Sequence, residues 1–288
     1  MPFAFRLADY ARYREQVNGA TYIDLTRRSD PACHRQCWDN LRQVVAAYGQ
    51  PWVLQVWTKD IAGVLCLGAD MLRALREVGT TITAQVTVTG LAGTLWEPLA
   101  PPDGLRLVPE LARMIGGPNH IRWRYDPIIP ALHSAERFRV LARRAAEMGL
   151  TQGVINFVAP PGRYVRVDRR LGPLLPGWVE GMPGYTPAWQ ERAECSTFRV
   201  ARELVALAGE AGITLSCCAE GAALAERVPG LRRAACGEYE WFVALSGQAP
   251  LRVPFKGSRP GCGCARYFDV GNYGSWSRCH RCVYCYAG

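Results

Sequence analysis

WVLQVWTKD (residues 52–60) and TITAQVTVT (residues 81–89) are the two stretches that decide the fold. Each is a short run of β-branched and aromatic residues. Trp52 to Trp57 reads as a strand that closes on the polar Thr58, Lys59 and Asp60, and Thr81 to Thr89 reads as the next one. Between them the residues around Ala69 to Val78 have helical spacing. The same alternation continues outward in both directions. Tyr22 to Thr26 reads as an earlier strand, followed by Arg27, Arg28, Ser29 and Asp30 and then a helix through about Tyr48. Downstream, Leu105 to Ile115 is helical, Ile121 to Tyr125 a strand, Ala135 to Met148 a helix with Ser134 as its N-cap, and Gly153 to Val158 a strand. Ser196 to Ala211, Ile213 to Cys217 and Ala222 to Arg227 repeat the pattern. A βα repeat implies an α/β fold with a parallel sheet, a full or partial (βα) barrel over residues 1–250.

Two stretches break the rhythm. Pro160 to Pro187 is rich in Pro, Gly and Arg and reads as a long excursion over one mouth of the barrel. From about Leu251 the alternation stops, leaving an irregular cysteine-rich C-terminal tail, residues 251–288, with little helical or strand period. Such a tail needs something other than its own apolar core to hold it.

The 288 residues are enough for one large domain, and 49% apolar with 20% charged residues is a globular composition. The formal charge is +9, and Lys59 and Lys256 are the only lysines. That charge permits an anionic partner without identifying one, since the arginines are scattered and form no basic tail. Met1 to Tyr10 carries Arg6 and Asp9 and no long apolar region, so no secretory signal is expected. No run approaches the ~18 apolar residues that span a bilayer. The expectation is a cytoplasmic protein with no membrane partner, in which twelve cysteines point to metal or redox chemistry rather than disulfides.

Barrel enzymes place their chemistry on the loops after the strands. Here those positions hold Arg27, Arg28 and Asp30; Lys59 and Asp60; Arg122, Arg124 and Asp126; Asn156; and Cys218 with Glu220. Taken singly, each suits a polar loop or a structural ion pair; as a set they converge on one rim. Arg122 and Arg124 alternate with Trp123 and Tyr125, so the two arginines share one strand face. If that face is buried, both need anionic partners or a ligand.

Cys279, Cys282 and Cys285 form a C-x-x-C-x-x-C run, close enough for three thiolates to take three corners of an iron–sulfur cubane. Upstream, Cys262 and Cys264 lie in a glycine-rich loop with Gly261 and Gly263, Cys218 ends a strand, and Cys236 follows the short helix after it. Zinc is the rival, since Cys262 and Cys264 with Cys279 and Cys282 supply four ligands about fifteen residues apart. Zinc has no use for the third cysteine of the run, which favours iron–sulfur. Cys66 and Cys217 read as small core residues. Cys33 and Cys37, one turn apart around His34, could bind metal but take the incidental reading, as does Cys195; His120 and His133 could act in acid–base chemistry but read as structural. His280 lies inside the cysteine run.

Thr26-Arg27-Arg28-Ser29-Asp30-Pro31, Trp57-Thr58-Lys59-Asp60, Trp123-Arg124-Tyr125-Asp126-Pro127, Cys262-Gly263-Cys264, Asp269-Val270-Gly271-Asn272-Tyr273 and Cys282-Val283-Tyr284-Cys285-Tyr286-Ala287 resemble a bacterial family, the domain of unknown function numbered eighteen forty-eight. The resemblance spans essentially the whole chain. The Tyr-Cys-Tyr-Ala ending is also similar to the cluster motif of radical S-adenosylmethionine (SAM) enzymes of the spore photoproduct lyase type, although there the motif follows the first barrel strand. Those enzymes space the first two cysteines as C-x-x-x-C, whereas Arg278 stands here where that cysteine is expected. The resemblance implies an open [4Fe-4S] cluster on Cys279, Cys282 and Cys285, with SAM bound at its open iron and cleaved reductively to modify a substrate. Arg28 and Arg124 would hold the cofactor's carboxylate or an anionic substrate. Lys59 and Asp126 would position ribose or substrate, with Asp30 beside them on the rim and Tyr284 and Tyr286 against the cofactor. Cys218, Cys236, Cys262 and Cys264 make one further set of four, expected to close a second cluster. An external electron donor such as a ferredoxin or flavodoxin is then needed. Two alternatives stay open: a closed-cluster electron-transfer protein, and a zinc-stabilised barrel that binds nucleic acid through its arginines.

Overall fold

The structure is a computed structural model that describes residues 4–175, 187–218, 222–250, 262–271, 273 and 279–287; the side chains of 187–196, 222 and 223 lie outside that set. In chain order the elements are α1 (Leu7–Gln16), β1 (Tyr22–Asp24), α2 (Arg35–Tyr48), β2 (Val53–Thr58), α3 (Ile61–Glu77), β3 (Thr81–Thr87), α4 (Val108–Ile115), β4 (Ile121–Ile128), α5 (Ala135–Glu147), β5 (Gln152–Phe157), α6 (Val165–Leu171), α7 (Pro187–Glu210), β6 (Thr214–Cys217), α8 (Ala222–Arg227), β7 (Arg232–Arg233), α9 (Tyr239–Ser246) and β8 (Phe268–Asp269). The eight strands among the described residues are all parallel, in the order β7-β6-β5-β4-β3-β2-β1-β8. Among the described residues the sheet is open, since its edge strands β7 and β8 do not pair.

Alternation along each strand sorts the residues between two faces. On one face Leu54, Val56, Ile82, Ala84, Val86, Trp123 and Tyr125 are buried in the main apolar core. Trp123 stacks on Phe138 of α5 with ring centres 5.2 Å apart, and Tyr125 meets the same ring edge-on at 4.9 Å. The opposite face is unusually polar: Asp24, Gln55, Thr83, Gln85 and Arg122 are all buried. Buried polar groups need partners. Gln55 and Gln85 both donate to the Cys236 carbonyl, at 3.2 and 2.9 Å, and Arg122 donates to the Ala235 carbonyl at 3.2 Å. A Cβ at Gly237 would lie 2.5 Å from the Tyr22 hydroxyl of β1, so only glycine fits there. Strands β1 to β4 thus all reach one stretch of chain, residues 235–237, and the sheet curves round it.

Several helices start where local chemistry dictates. Ser134 caps α5, its hydroxyl accepting the Arg137 N–H at 3.2 Å. The Asp60 carboxylate accepts the Gly63 N–H at 3.0 Å, so α3 begins at Ile61 rather than near Ala69. Ile61, Val64, Gly68, Leu72 and Leu75 form its buried stripe, and Asp60 serves as a cap. The excursion after Pro160 contains α6, whose Val167 and Leu171 join a second apolar cluster with Cys282 and Tyr284 of the tail. The tail, expected to lack strand character, supplies β8, which pairs with β1 at Ile23–Phe268 and Asp24–Asp269. α1, β7 and α9 are further elements that the periodicity did not mark. Cys217 is buried as expected, but Cys66 is exposed on α3: it falls off the buried stripe. Among the described residues no helix is long and apolar enough to cross a membrane.

Candidate metal and cofactor site

The C-terminal ends of β1 to β6 open on one cavity of about 320 Å³. All seven cysteines singled out as ligands line it: Cys218, Cys236, Cys262, Cys264, Cys279, Cys282 and Cys285. So do Arg28, Asp30, Lys59, Arg124, Asp126, Asn156, Tyr284 and Tyr286. Residues spread over more than two hundred positions of chain are thus brought together, the strand-end loops by the parallel sheet and the tail by its contacts with them.

Cys218, Cys236 and Cys264 form one end. The Cys236 thiol is held up by its hydrogen bond with Cys218, opposed by one with Cys264, and raised further by burial. Cys264 is pushed up first by its bond with Cys236 and then by burial. Packed thiols share protons in this way, and a metal cation takes their place when such a site loads. Donors also point at the sulfurs: Gly237 N–H to Cys264 Sγ at 3.3 Å, Arg27 to the same atom at 3.6 Å, and Arg124 to Cys236 Sγ at 3.8 Å. Hydrogen bonds to sulfur are a lever by which proteins tune iron–sulfur centres. Cys218 donates to Asn156 Oδ1 at 3.5 Å. Among the described residues, no three His, Cys, Asp or Glu side chains stand at the spacing of ligands round a single ion. The fit rests instead on donor chemistry: soft thiols in number, with N–H groups aimed at them and cationic arginines close by.

The tail forms the other end. The Cys282 thiol is pushed up to about 12, mainly by burial, with Lys59 pulling it down and Glu97 pushing it up. Burial and the Asp30 carboxylate raise Cys279. Arg170 of α6 donates to the Cys285 carbonyl. Asp30 is a junction: it accepts the Thr58 hydroxyl at 2.8 Å, the Lys59 N–H at 2.6 Å, the Ala32 N–H at 2.9 Å and His280 Nε2 at 2.8 Å. Burial works against a charge on His280, but Asp30 outweighs it and moves the imidazole up. Asp30 thereby joins the β1 and β2 loops to the cysteine run.

The rim arginines divide by environment. Arg122 is buried against Glu238 at 2.5 Å and over the Trp241 ring at 4.0 Å, away from the cavity. Arg124 pairs with Asp126, which also accepts from Asn156 at 2.9 Å, and lies 4.7 Å from the Trp57 ring centre. Arg27 is locked to the buried Asp24 at 2.5 Å and sandwiched by Tyr267 and Trp57. Arg28 is exposed at the mouth, with its guanidinium 5.7 Å from the Tyr273 ring. Tyr286 stacks on Tyr164 at 5.4 Å.

Two residues that sequence reading did not single out hold the site. The Tyr273 hydroxyl bonds Thr26 at 2.8 Å, the Arg27 and Arg28 N–H groups at 3.0 and 3.2 Å, and Asp269 at 2.8 Å. Glu97, buried after β3, accepts the Tyr284 and Thr89 hydroxyls and pairs with Lys59. Tyr273 stood in a quoted motif; Glu97 carries no spacing signal. His120 bonds the Ile82 carbonyl at 2.7 Å and His133 lies 3.1 Å from Glu203, both outside the cavity. Cys37 donates to the His34 carbonyl at 2.9 Å. Glu220, Gly261, Asn272, Arg278 and the side chain of Cys195 lie outside the described residues.

Residues 39–287 match the family described as domain of unknown function, DUF1848. The chain belongs to that family. No curated protein matches it. A solved structure of the carboxyl transferase domain from Rhizobium etli pyruvate carboxylase, with pyruvate and biocytin, is similar at 16% identity and a TM-score of 0.37 over 83% of this chain. The chain spans 36% of the length of that structure.

Proposed function

We propose that this DUF1848 chain is an iron–sulfur enzyme of the radical SAM type. The observation that carries the reading is the convergence of all seven candidate cysteines with Arg28, Lys59, Arg124 and Asp126 on one cavity at the strand ends. The sheet is read as a partial (βα) barrel, opened between β7 and β8, with its working mouth at that end. Cys279, Cys282 and Cys285 would hold an open [4Fe-4S] cluster, and Cys218, Cys236, Cys262 and Cys264 a closed one. When bound, the open cluster supplies the electron for reductive cleavage of SAM.

The chain's own residues bind, orient and shield. Arg28, exposed at the mouth and steadied by Tyr273, is placed to take a carboxylate in a charge-assisted bond. Arg124, neutralised by Asp126 and braced on Trp57, gives a second polar contact, and Asp126 and Asn156 together present acceptors and donors to hydroxyl groups. Tyr284 and Tyr286 offer aromatic faces. The apolar cluster of Ile129, Val167, Leu171 and Leu175 beneath the tail keeps water from the Cys282 side. An external one-electron donor and a cytoplasmic setting belong to this reading, and the substrate is the target of the modification.

The test uses protein reconstituted anaerobically with iron and sulfide. Reductant-dependent cleavage of SAM is expected, abolished by Cys282→Ala. Arg28→Ala should weaken SAM binding by roughly 10- to 100-fold, the value of one charged hydrogen bond, with iron content unchanged. Reconstituted protein that carries iron but neither binds nor cleaves SAM would point to the closed-cluster electron carrier instead.

A further inference from the structure

Glu97 is 1% exposed in the loop between β3 and α4. A carboxylate so placed is costly to bury unless charged and polar partners surround it. Its partners come from two directions. Thr89 donates at 2.5 Å and the Lys59 ammonium pairs at 3.0 Å from the strand ends, while the Tyr284 hydroxyl donates from the tail. The same loop is stitched to the tail along the backbone. Val283 N–H donates to the Trp96 carbonyl at 3.0 Å, and Leu99 N–H to the His280 carbonyl at 3.3 Å. Lys59 lies with its ammonium 5.7 Å from the Tyr284 ring centre. Glu97 and Lys59 therefore meet beside the cysteine run, where the Tyr284 hydroxyl reaches Glu97 and the Tyr284 ring lies by Lys59.

We infer that Glu97 is a positioning residue: it ties the Cys-x-x-Cys-x-x-Cys segment to the rim and, with Lys59 as its counter-ion, sets the charge beside Cys282. Lys59 then serves the tail instead of gripping substrate. The tie stands on the protein alone; only the charge effect rests on the proposed iron–sulfur reading.

Two readouts test it. The first is amide hydrogen exchange on the full chain as isolated. Tyr284→Phe and Glu97→Ala should each speed exchange at Leu99 and over residues 280–285 by roughly tenfold or more, with the β3 amides unchanged. Should Glu97→Ala loosen β3 as well, Tyr284→Phe decides, since it removes one hydroxyl and no volume of core. Exchange at wild-type rates in Tyr284→Phe, or a wild-type tail that exchanges as an unfolded chain does, overturns the inference. The second is the midpoint potential of reconstituted protein. Glu97→Gln leaves Lys59 unneutralised, so the potential should move positive, and adding Lys59→Met should return it towards wild type. An unchanged potential in Glu97→Gln overturns the charge role. Wild-type protein that takes up no iron defeats the iron–sulfur reading, and the exchange data still decide the tie.

Discussion

Asp269 ends β8, and burial pushes its carboxyl up to about 6 against the hydrogen bonds from Tyr273 and Gly271 that favour its charge. A folded-state value above the unfolded one means that the native protein binds the extra proton. The contribution to stability is full below about pH 4 and is lost as pH rises through about 6, worth at most about 3 kcal/mol. Asp269→Asn should keep the Tyr273 contact and remove this dependence, so thermal melts of the two proteins should converge below pH 4 and diverge, with the variant more stable, above pH 6. Parallel curves would contradict the assignment. Tyr273→Phe removes the hydroxyl shared by Thr26, Asp269 and the N–H groups of Arg27 and Arg28. A loss of about 1–3 kcal/mol in denaturant unfolding is expected, with no change in far-ultraviolet circular dichroism. At this scale the cysteines were legible because sulfur at fixed spacing serves few purposes. Asp30 and Lys59 were legible as rim residues, but what they bind was not. Glu97 was invisible, since one acid in a turn-rich loop becomes informative only when Tyr284, 187 positions away, reaches it.

Helix α3 and helix α2 meet at Gly68, where a Cβ would fall 2.1 Å from the Trp38 ring. Trp38 is fully buried and its indole N–H bonds the Pro31 carbonyl at 3.0 Å, so the ring cannot swing away cheaply. Gly68→Ala should destabilise the chain by about 1–3 kcal/mol, the range for overpacking a tight core, despite alanine's higher helix propensity; an unchanged or raised Tm would contradict that packing. Elements with several turns or several ladder bonds were legible. β2 and β3 read as strands because their runs are short and rich in β-branched and aromatic residues; one face packs into the apolar core, and on the other Gln55, Thr83 and Gln85 are buried, with Gln55 and Gln85 reaching the Cys236 carbonyl. β7 and β8, two residues each, have no period to read, and the chain beside them defines them. α6 was hidden by its surroundings of Pro, Gly and Arg, and its Val167 and Leu171 acquire meaning only against the tail.

Across the whole molecule, the parallel sheet does one thing that no local pattern states: it gathers loops from β1 to β6 and the C-terminal cysteines at a single edge. The βα rhythm made that arrangement foreseeable, and the cavity follows from it. The open seam between β7 and β8 was not foreseeable, because closure depends on where two very short strands find partners. The described part of the chain between them carries Cys236, Cys262 and Cys264, all of which line the cavity. Whether these cysteines hold iron–sulfur clusters is read directly from the metal content and visible absorbance of anaerobically purified and reconstituted protein. A brown protein with about eight irons per chain is expected, falling to about four when Cys279, Cys282 and Cys285 are replaced together by alanine. A colourless protein holding zinc, or one holding no metal at all, would contradict the iron–sulfur reading.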